Sequence, residues 1–176
     1  DVDECALELH AGFLPLLGYP EGTAVGRIAA LCKSERIAPH DMLFLDIETT
    51  GLGNTPVFLI GTMESESDRF VFRQYFARDY SEEVSILSAF ARRLADTRVL
   101  VTFNGKSFDM PYLQNRGIAT AVRVPQPKYH LDLLHEARRH YGRSTPNHKL
   151  QTLEQHVCGR HRDDDIPGAE IPAAYH

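Results

Sequence analysis

Residues 42–52 read MLFLDIETTGL, a continuous apolar run that ends in two carboxylates and a glycine-containing turn. Its first six residues have the make-up of a strand covered on both faces, which places it centrally in a sheet. Buried strands seldom carry acids, yet Asp46 and Glu48 stand two residues apart, so both project from one face with Cα atoms roughly 6.5 Å apart. The turn after them sets the pair where the strand leaves its sheet, and ligands of α/β sheets commonly bind at such carboxyl ends. Two ionised carboxylates that repel each other and lose hydration must take up protons or recruit cations. Hard divalent ions such as Mg²⁺ or Mn²⁺ suit oxygen donors. A strand-end pair facing water is the simpler alternative, and the apolar run around the pair argues against it.

Outward from this strand the periodicity stays legible. PVFLIGTME (56–64) and RFVFRQYFA (69–77) have strand character, the second by strict alternation, with the polar turn SESD (65–68) between them. Together with the first strand they predict an antiparallel meander of three. Asp79 followed by Glu82 resembles a capping box, and Ile86, Leu87, Phe90 and Leu94 then recur at helical spacing. RVLVTF (98–103) follows that helix, so it can lie parallel to the first strand through a right-handed crossover. SFDMPYLQNRG (107–117) predicts a helix and KYHLDLL (128–134) a short fifth strand. LHEARRHYG (134–142) and HKLQTLEQHVCG (148–159) predict helices stopped by Gly142 and Gly159. The fold class is therefore α/β, a mixed five-stranded sheet with helices on both faces. Residues 1–40 form a lead-in with turn signals at Gly18-Tyr19-Pro20 and a short helix over 23–34, and 41–176 form the domain proper.

A third carboxylate is expected from VTFNGKSFDMPYL (101–113). Asp109 stands just beyond the strand expected next to the first, in the opening turn of a helix, and faces the same cleft as Asp46. Taken alone, Asp109 is an ordinary helix N-terminal acid and Asn104 an ordinary turn former. Their conjunction with the acidic pair is what points to a metal site.

With 176 residues and 43% hydrophobic content the chain can bury the core of one domain. No run approaches the length of a membrane span, and no basic-then-apolar leader is present, so neither membrane nor secretion is expected. The chain begins at Asp1 without Met, as a trimmed piece of something longer would. Cys5, Cys32 and Cys158 are odd in number and far apart, which gives neither a disulfide framework nor a metal clamp and makes the reducing cytoplasm the default. His156, Cys158 and His161 lack the second pair that structural zinc needs. The net charge of −5 is unevenly spread: residues 1–90 hold 6 basic and 15 acidic side chains, whereas 91–162 hold 13 and 5. A basic segment of this kind can line a groove for nucleic acid, with Arg92, Arg93, Arg138 and Arg139 as candidates, although solvated surface arginines are as common.

DIETTGL and FNGKSFDMPYL, in this order around a meander, resemble the first two motifs of the DnaQ-like (DEDD) 3′-5′ exonuclease superfamily, which has a ribonuclease H-like fold. FLIG (58–61), HLDLLHEAR (130–138), LQTLE (150–154) and RDDDIPGAEIP (162–172) are similar to the YprB-like family within it. The resemblance covers residues 43–175 and implies hydrolysis of phosphodiester bonds in DNA or RNA at single-stranded 3′ ends, with two Mg²⁺ or Mn²⁺ ions about 3.5–4 Å apart. It implies that Asp46 bridges both ions, Glu48 holds the ion that activates water, and Asp109 supports the second. It further implies that Thr49, Gly51 and Leu52 approach the terminal nucleotide, Leu52 as a wedge against a base, while Asn104 and Lys106 orient the motif or contact phosphate. The superfamily pattern has a fourth acid on a later helix, preceded by a His or Tyr base. Nothing after Asp109 fits: Asp132 belongs to HLDLL, Asp163 to Asp165 lie in a Gly/Pro-flanked tail, and Glu170, Tyr175 or His176 are weak stand-ins. The domain is thus expected to be truncated at its C-terminus, and the alternative to an enzyme is a weak or inactive nucleic-acid-binding domain.

Overall fold

The computed structural model describes residues 37–51, 53–67, 69–162, 166–167 and 170–175. The helix expected over 23–34, the turn signals before it, Cys5, Cys32, Leu52, Asp163 to Asp165 and His176 lie outside the described residues. Five strands, β1 (Met42–Thr49), β2 (Val57–Glu66), β3 (Arg69–Phe76), β4 (Val99–Thr102) and β5 (Tyr129–Asp132), form one sheet in the order β3-β2-β1-β4-β5. β1 pairs antiparallel with β2 and β2 with β3, whereas β4 runs parallel to β1 and β5 parallel to β4. The mixed sheet expected from the sequence is thus the one observed.

β1 is central because both its faces are covered. Leu43, Leu45 and Ile47 face a large apolar cluster, while Met42 and Phe44 face a second one built with Val99, Val101 and Leu131. The first cluster is closed by α1 (Glu83–Ala95) and α2 (Asp109–Ala119). Ile86, Leu87, Phe90 and Leu94 of α1 are all buried there, as their spacing predicted, and each side chain of this kind contributes about 1.5–3 kcal/mol. α3 (Leu133–Tyr141) and α4 (Leu150–Cys158) follow β5, and Leu133 packs with the second cluster. Gly142, at φ +46°, and Gly159, at φ +65°, end these helices at the residues the sequence marked. The short α5 (Ile171–Tyr175) closes the described chain.

Two local expectations need correction. The turn after β2 is tighter than SESD, because β2 continues through Glu66 and Ser67 takes a left-handed φ of 55°. The capping box at α1 is also rearranged. Asp79 accepts from the Ser81 amide at 2.8 Å, but Glu82 reaches the amide of Arg78 at 2.9 Å rather than that of Asp79. Its carboxylate is drawn there by the Arg78 guanidinium, with which it forms an i,i+4 ion pair, and a single 3₁₀ turn (Tyr80–Glu82) precedes the helix.

Candidate active site

The pleat of β1 delivers Asp46 and Glu48 to the second face of the sheet, beyond Met42 and Phe44, and there the apolar cover stops: Asp46 is exposed and Glu48 half-buried. Asp46 pairs across the β1–β2 ladder with Gly61, and a Cβ there would meet nothing closer than the Asp46 carbonyl at 3.7 Å, so the space beside the carboxylate stays open. The ladder slips between Glu48 and Thr49, a bulge that turns the chain away from the sheet just after the acidic pair.

Asp109 is the first residue of α2 and only 4% exposed. Burial, and next the charge of Asp46, push its pKa up to about 7, with Asp132 adding to the effect. Burial also raises Asp46, although solvent reaches it from the open side of the cleft. The Ile47 amide lowers both pKa values, so the two carboxylates converge on one main-chain donor, and Arg162 offsets part of the charge on Asp46. The more buried Asp109 carries most of the repulsion. This pair is what the sequence brought together, and Glu48 lies two residues along the same face. Among the described residues no three His, Cys, Asp or Glu side chains are gathered as a ready-made metal cage.

The loop that delivers Asp109 is held by an aspartate set aside at the sequence level as part of a strand. Asp132, 2% exposed, accepts from the amides of Asn104 at 2.8 Å, Lys106 at 3.0 Å and Leu134 at 3.0 Å. Three main-chain donors satisfy a buried carboxylate, so Asp132 clamps residues 104–106 while capping α3. Asn104 turns the chain at a left-handed φ of 67°, and its carbonyl accepts from Ser107 and Phe108, each at 3.1 Å. Gly105 is enforced by space, since a Cβ would stand 2.5 Å from the Thr102 side chain. The side chains of Asn104 and Lys106 remain exposed on this loop. Thr102 in turn pairs with His130 Nε2 at 2.9 Å.

On the other side, α2 holds the loop between β1 and β2. Asp109, Tyr112 and Arg116 share one stripe of the helix. Tyr112 donates to the Thr55 carbonyl at 2.8 Å, and Arg116 donates to the Asn54 carbonyl at 2.8 Å while pairing with the buried Glu83 at 2.6 Å. Glu83 also accepts from the Val57 amide at 2.9 Å. Within the loop, Thr49 donates its hydroxyl to the Gly51 carbonyl at 2.9 Å, and Thr55 does so at 3.0 Å. A cleft of about 610 Å³, lined by Gly53, Asn54, Phe108 and Tyr112 among others, opens beside it. Tyr112, Arg116 and Glu83 were not singled out from the sequence; the 109/112/116 spacing was the available signal.

The antiparallel meander followed by parallel strands, with carboxylates at the carboxyl end of the central strand and at the start of the helix after its parallel neighbour, agrees with a match between residues 43–176 and the model of the RNase H superfamily. The chain belongs to the RNase H superfamily. The resemblance to YprB-like chains also holds: YprB of Bacillus subtilis (strain 168), an uncharacterized protein, is 35% identical over 141 residues, which cover 77% of this chain and 34% of YprB. A DNA polymerase of Pyrococcus glycovorans is 25% identical over 154 residues, covering 69% of this chain and 20% of the polymerase. The family B DNA polymerase of Pyrobaculum calidifontis shares the fold, with a TM-score of 0.58 at 20% identity over 76% of this chain and 20% of that one. This RNase H-like chain therefore spans about a third of YprB and a fifth of the polymerases.

Other candidates are dispersed by the fold. Arg93 pairs with the buried Glu64 and Arg139 with Glu136, whereas Arg92 and Arg138 are exposed. Tyr175 stacks on Phe58 with ring centroids 4.2 Å apart and donates to the Ala77 carbonyl at 3.0 Å. His156 bonds to the Thr152 carbonyl of its own helix at 3.0 Å. No helix among the described residues is long and apolar enough to cross a membrane.

Proposed function

We propose that residues 41–176 form a metal-dependent nuclease domain behind a lead-in of 1–40, and that it hydrolyses phosphodiester bonds at single-stranded 3′ ends of DNA or RNA in the cytoplasm. The observation that carries this reading is the convergence of Asp46 and Asp109 on one main-chain donor at the carboxyl end of β1, where burial raises both pKa values and the charge of Asp46 raises that of Asp109 further. Two starved oxygen donors beside a solvent-filled gap fit Mg²⁺ or Mn²⁺, which Mg²⁺ in particular satisfies with one or two carboxylates plus water and substrate phosphate oxygens. Asp46, Glu48 and Asp109 would hold the ions. Bound ions would activate water and stabilise the attacking and leaving oxygens of an in-line displacement. The chain's own part is positional. Gly61 leaves room for a phosphate next to Asp46, the Asp132 clamp fixes Asp109, and the Tyr112 and Arg116 contacts hold the loop at Gly51, Asn54 and Thr55 against the terminal nucleotide, to which the resemblance also assigns Thr49 and Leu52. Membership of the RNase H superfamily supports nuclease chemistry, and the 3′-5′ direction rests on the DnaQ-like resemblance.

The test is shortening of 5′-labelled single-stranded DNA and RNA oligonucleotides in Mg²⁺ or Mn²⁺. Activity should require the metal and disappear in Asp46→Asn; activity that survives this substitution refutes the assignment. A second reading, a binding domain without chemistry, is favoured by the lack of a third gathered acid among the described residues. It predicts salt-sensitive oligonucleotide binding and no Mn²⁺ uptake by calorimetry.

A further inference from the structure

A groove of about 540 Å³ runs between α3, at Leu134 and Arg138, and the start of α4 at Leu150, and Phe103 and Asn104 just after β4 line its inner side. Arg138, Asn147, His148 and Lys149 line the rest of its polar wall, and among the described residues no acid lines it. The basic middle of the chain is sorted unevenly by the fold. Within it Arg93, Arg116, Arg139 and Arg162 are each paired with a glutamate and Arg98 with Asp41. Arg138 and Lys149 have no carboxylate partner among the described residues, and both are exposed. Between them His148 Nε2 is enclosed without a hydrogen-bond partner. The first turn of α4 starts at the same place without a capping side chain, which adds partial positive charge to the groove.

The groove also adjoins the candidate active site. Asn104 belongs both to its wall and to the loop, clamped by Asp132, that ends in Asp109. A strand whose end reaches the carboxylates can therefore continue past Asn104, and the groove has room for a sugar together with its phosphate.

We propose that this groove is a phosphodiester subsite for the single strand, in which Arg138 and Lys149 hold a phosphate upstream of the reacting end. The proposal rests on the nuclease reading of Asp46 and Asp109. It predicts that affinity depends on strand phosphates through two cations remote from the chemistry, and that inorganic phosphate is a poor substitute for the chain.

The test is fluorescence anisotropy with the whole chain and a labelled oligothymidylate of roughly ten nucleotides, in EDTA, across a range of KCl. The double variant Arg138→Gln/Lys149→Gln should flatten the slope of log affinity against log salt by about 1.4, from about 0.7 per cation on single strands, and weaken binding about tenfold at moderate salt. Arg123→Gln, an exposed cation in the segment after α2, should leave the slope unchanged. Displacement of the oligonucleotide by submillimolar inorganic phosphate overturns the proposal in favour of a free-anion site. An unchanged slope in the double variant overturns it too, while the nuclease reading stands if oligonucleotide shortening still depends on metal and Asp46. If the unaltered protein neither binds nor shortens the strand, both fail.

Discussion

Replacing Asp109 by asparagine should stabilise the metal-free protein at alkaline pH even as it removes a proposed metal ligand. The folded chain holds the Asp109 proton up to about pH 7, whereas an unfolded aspartate loses it near 3.8. Between those values the folded state binds more protons than the unfolded one, so stability falls as pH rises. At about 1.4 kcal/mol per pH unit the full loss is about 4–5 kcal/mol, and with Asp46 free to share the strain a gain of about 2–4 kcal/mol is expected from Asp109→Asn at pH 8. Urea unfolding of both proteins in EDTA, from pH 4 to 8, measures the difference directly. It should vanish near pH 4 and grow towards neutrality. His130 titrates in the opposite sense, but it is common to both proteins and cancels. Mg²⁺ should then stabilise the parent more than the variant, because the parent regains a counter-charge for its carboxylate. Equal or lower stability of Asp109→Asn at pH 8, or a difference that does not change with pH, refutes the claim that Asp109 is electrostatically strained.

Three further outcomes follow from the supports of the site. Arg116→Met strands the buried Glu83 carboxylate and should cost about 3–5 kcal/mol in urea, whereas Glu83→Met/Arg116→Met should recover much of that stability and still loosen the Asn54 loop, seen as a raised KM for oligonucleotides. Gly105→Ala forces a methyl group against the buried Thr102 and should lose about 1–3 kcal/mol, together with most activity, since the displaced loop carries Asp109. Burial first, and then Lys106, hold the His130 pKa down to about 4 from the usual 6.5, so its contribution is present above pH 6.5 and is lost as pH falls towards 4; NMR titration should place the imidazole there, and Lys106→Gln should move it upward.

The sheet was legible because its signals are periodic and local. The β1 run, the alternation of β3 and the α1 spacing each express burial that the residues themselves encode. The acidic pair was legible as an exception to that same rule, because a charge inside an apolar strand conflicts with local preference and such conflicts concentrate at functional sites. What escaped were contacts fixed only by tertiary placement. Glu83 looked like any acid in a first helical turn, and Arg116 like any surface arginine, until α1, α2 and the β1–β2 loop met around them.

Asp109 and Asp132 show why no reading of residue types alone could finish the assignment. Each stands at the start of a helix that follows a parallel strand, each is almost fully buried, and neither has a cationic side chain bonded to it among the described residues. The difference is the count of main-chain donors. Asp132 accepts three amides, a set that satisfies the buried carboxylate and makes the residue a clamp. Asp109 has main-chain support only from its own amide and that of Ile47, which burial and the charge of Asp46 outweigh, as the proposed role of cation ligand requires. If the roles follow from donor count, Asp132→Asn should destabilise the loop and the fold, the opposite sign to Asp109→Asn, because an amide oxygen accepts from three N–H groups less strongly than a carboxylate. Stability changes of the same sign in the two variants at pH 8 would show that burial alone, and not the donors, sets the fate of these two aspartates.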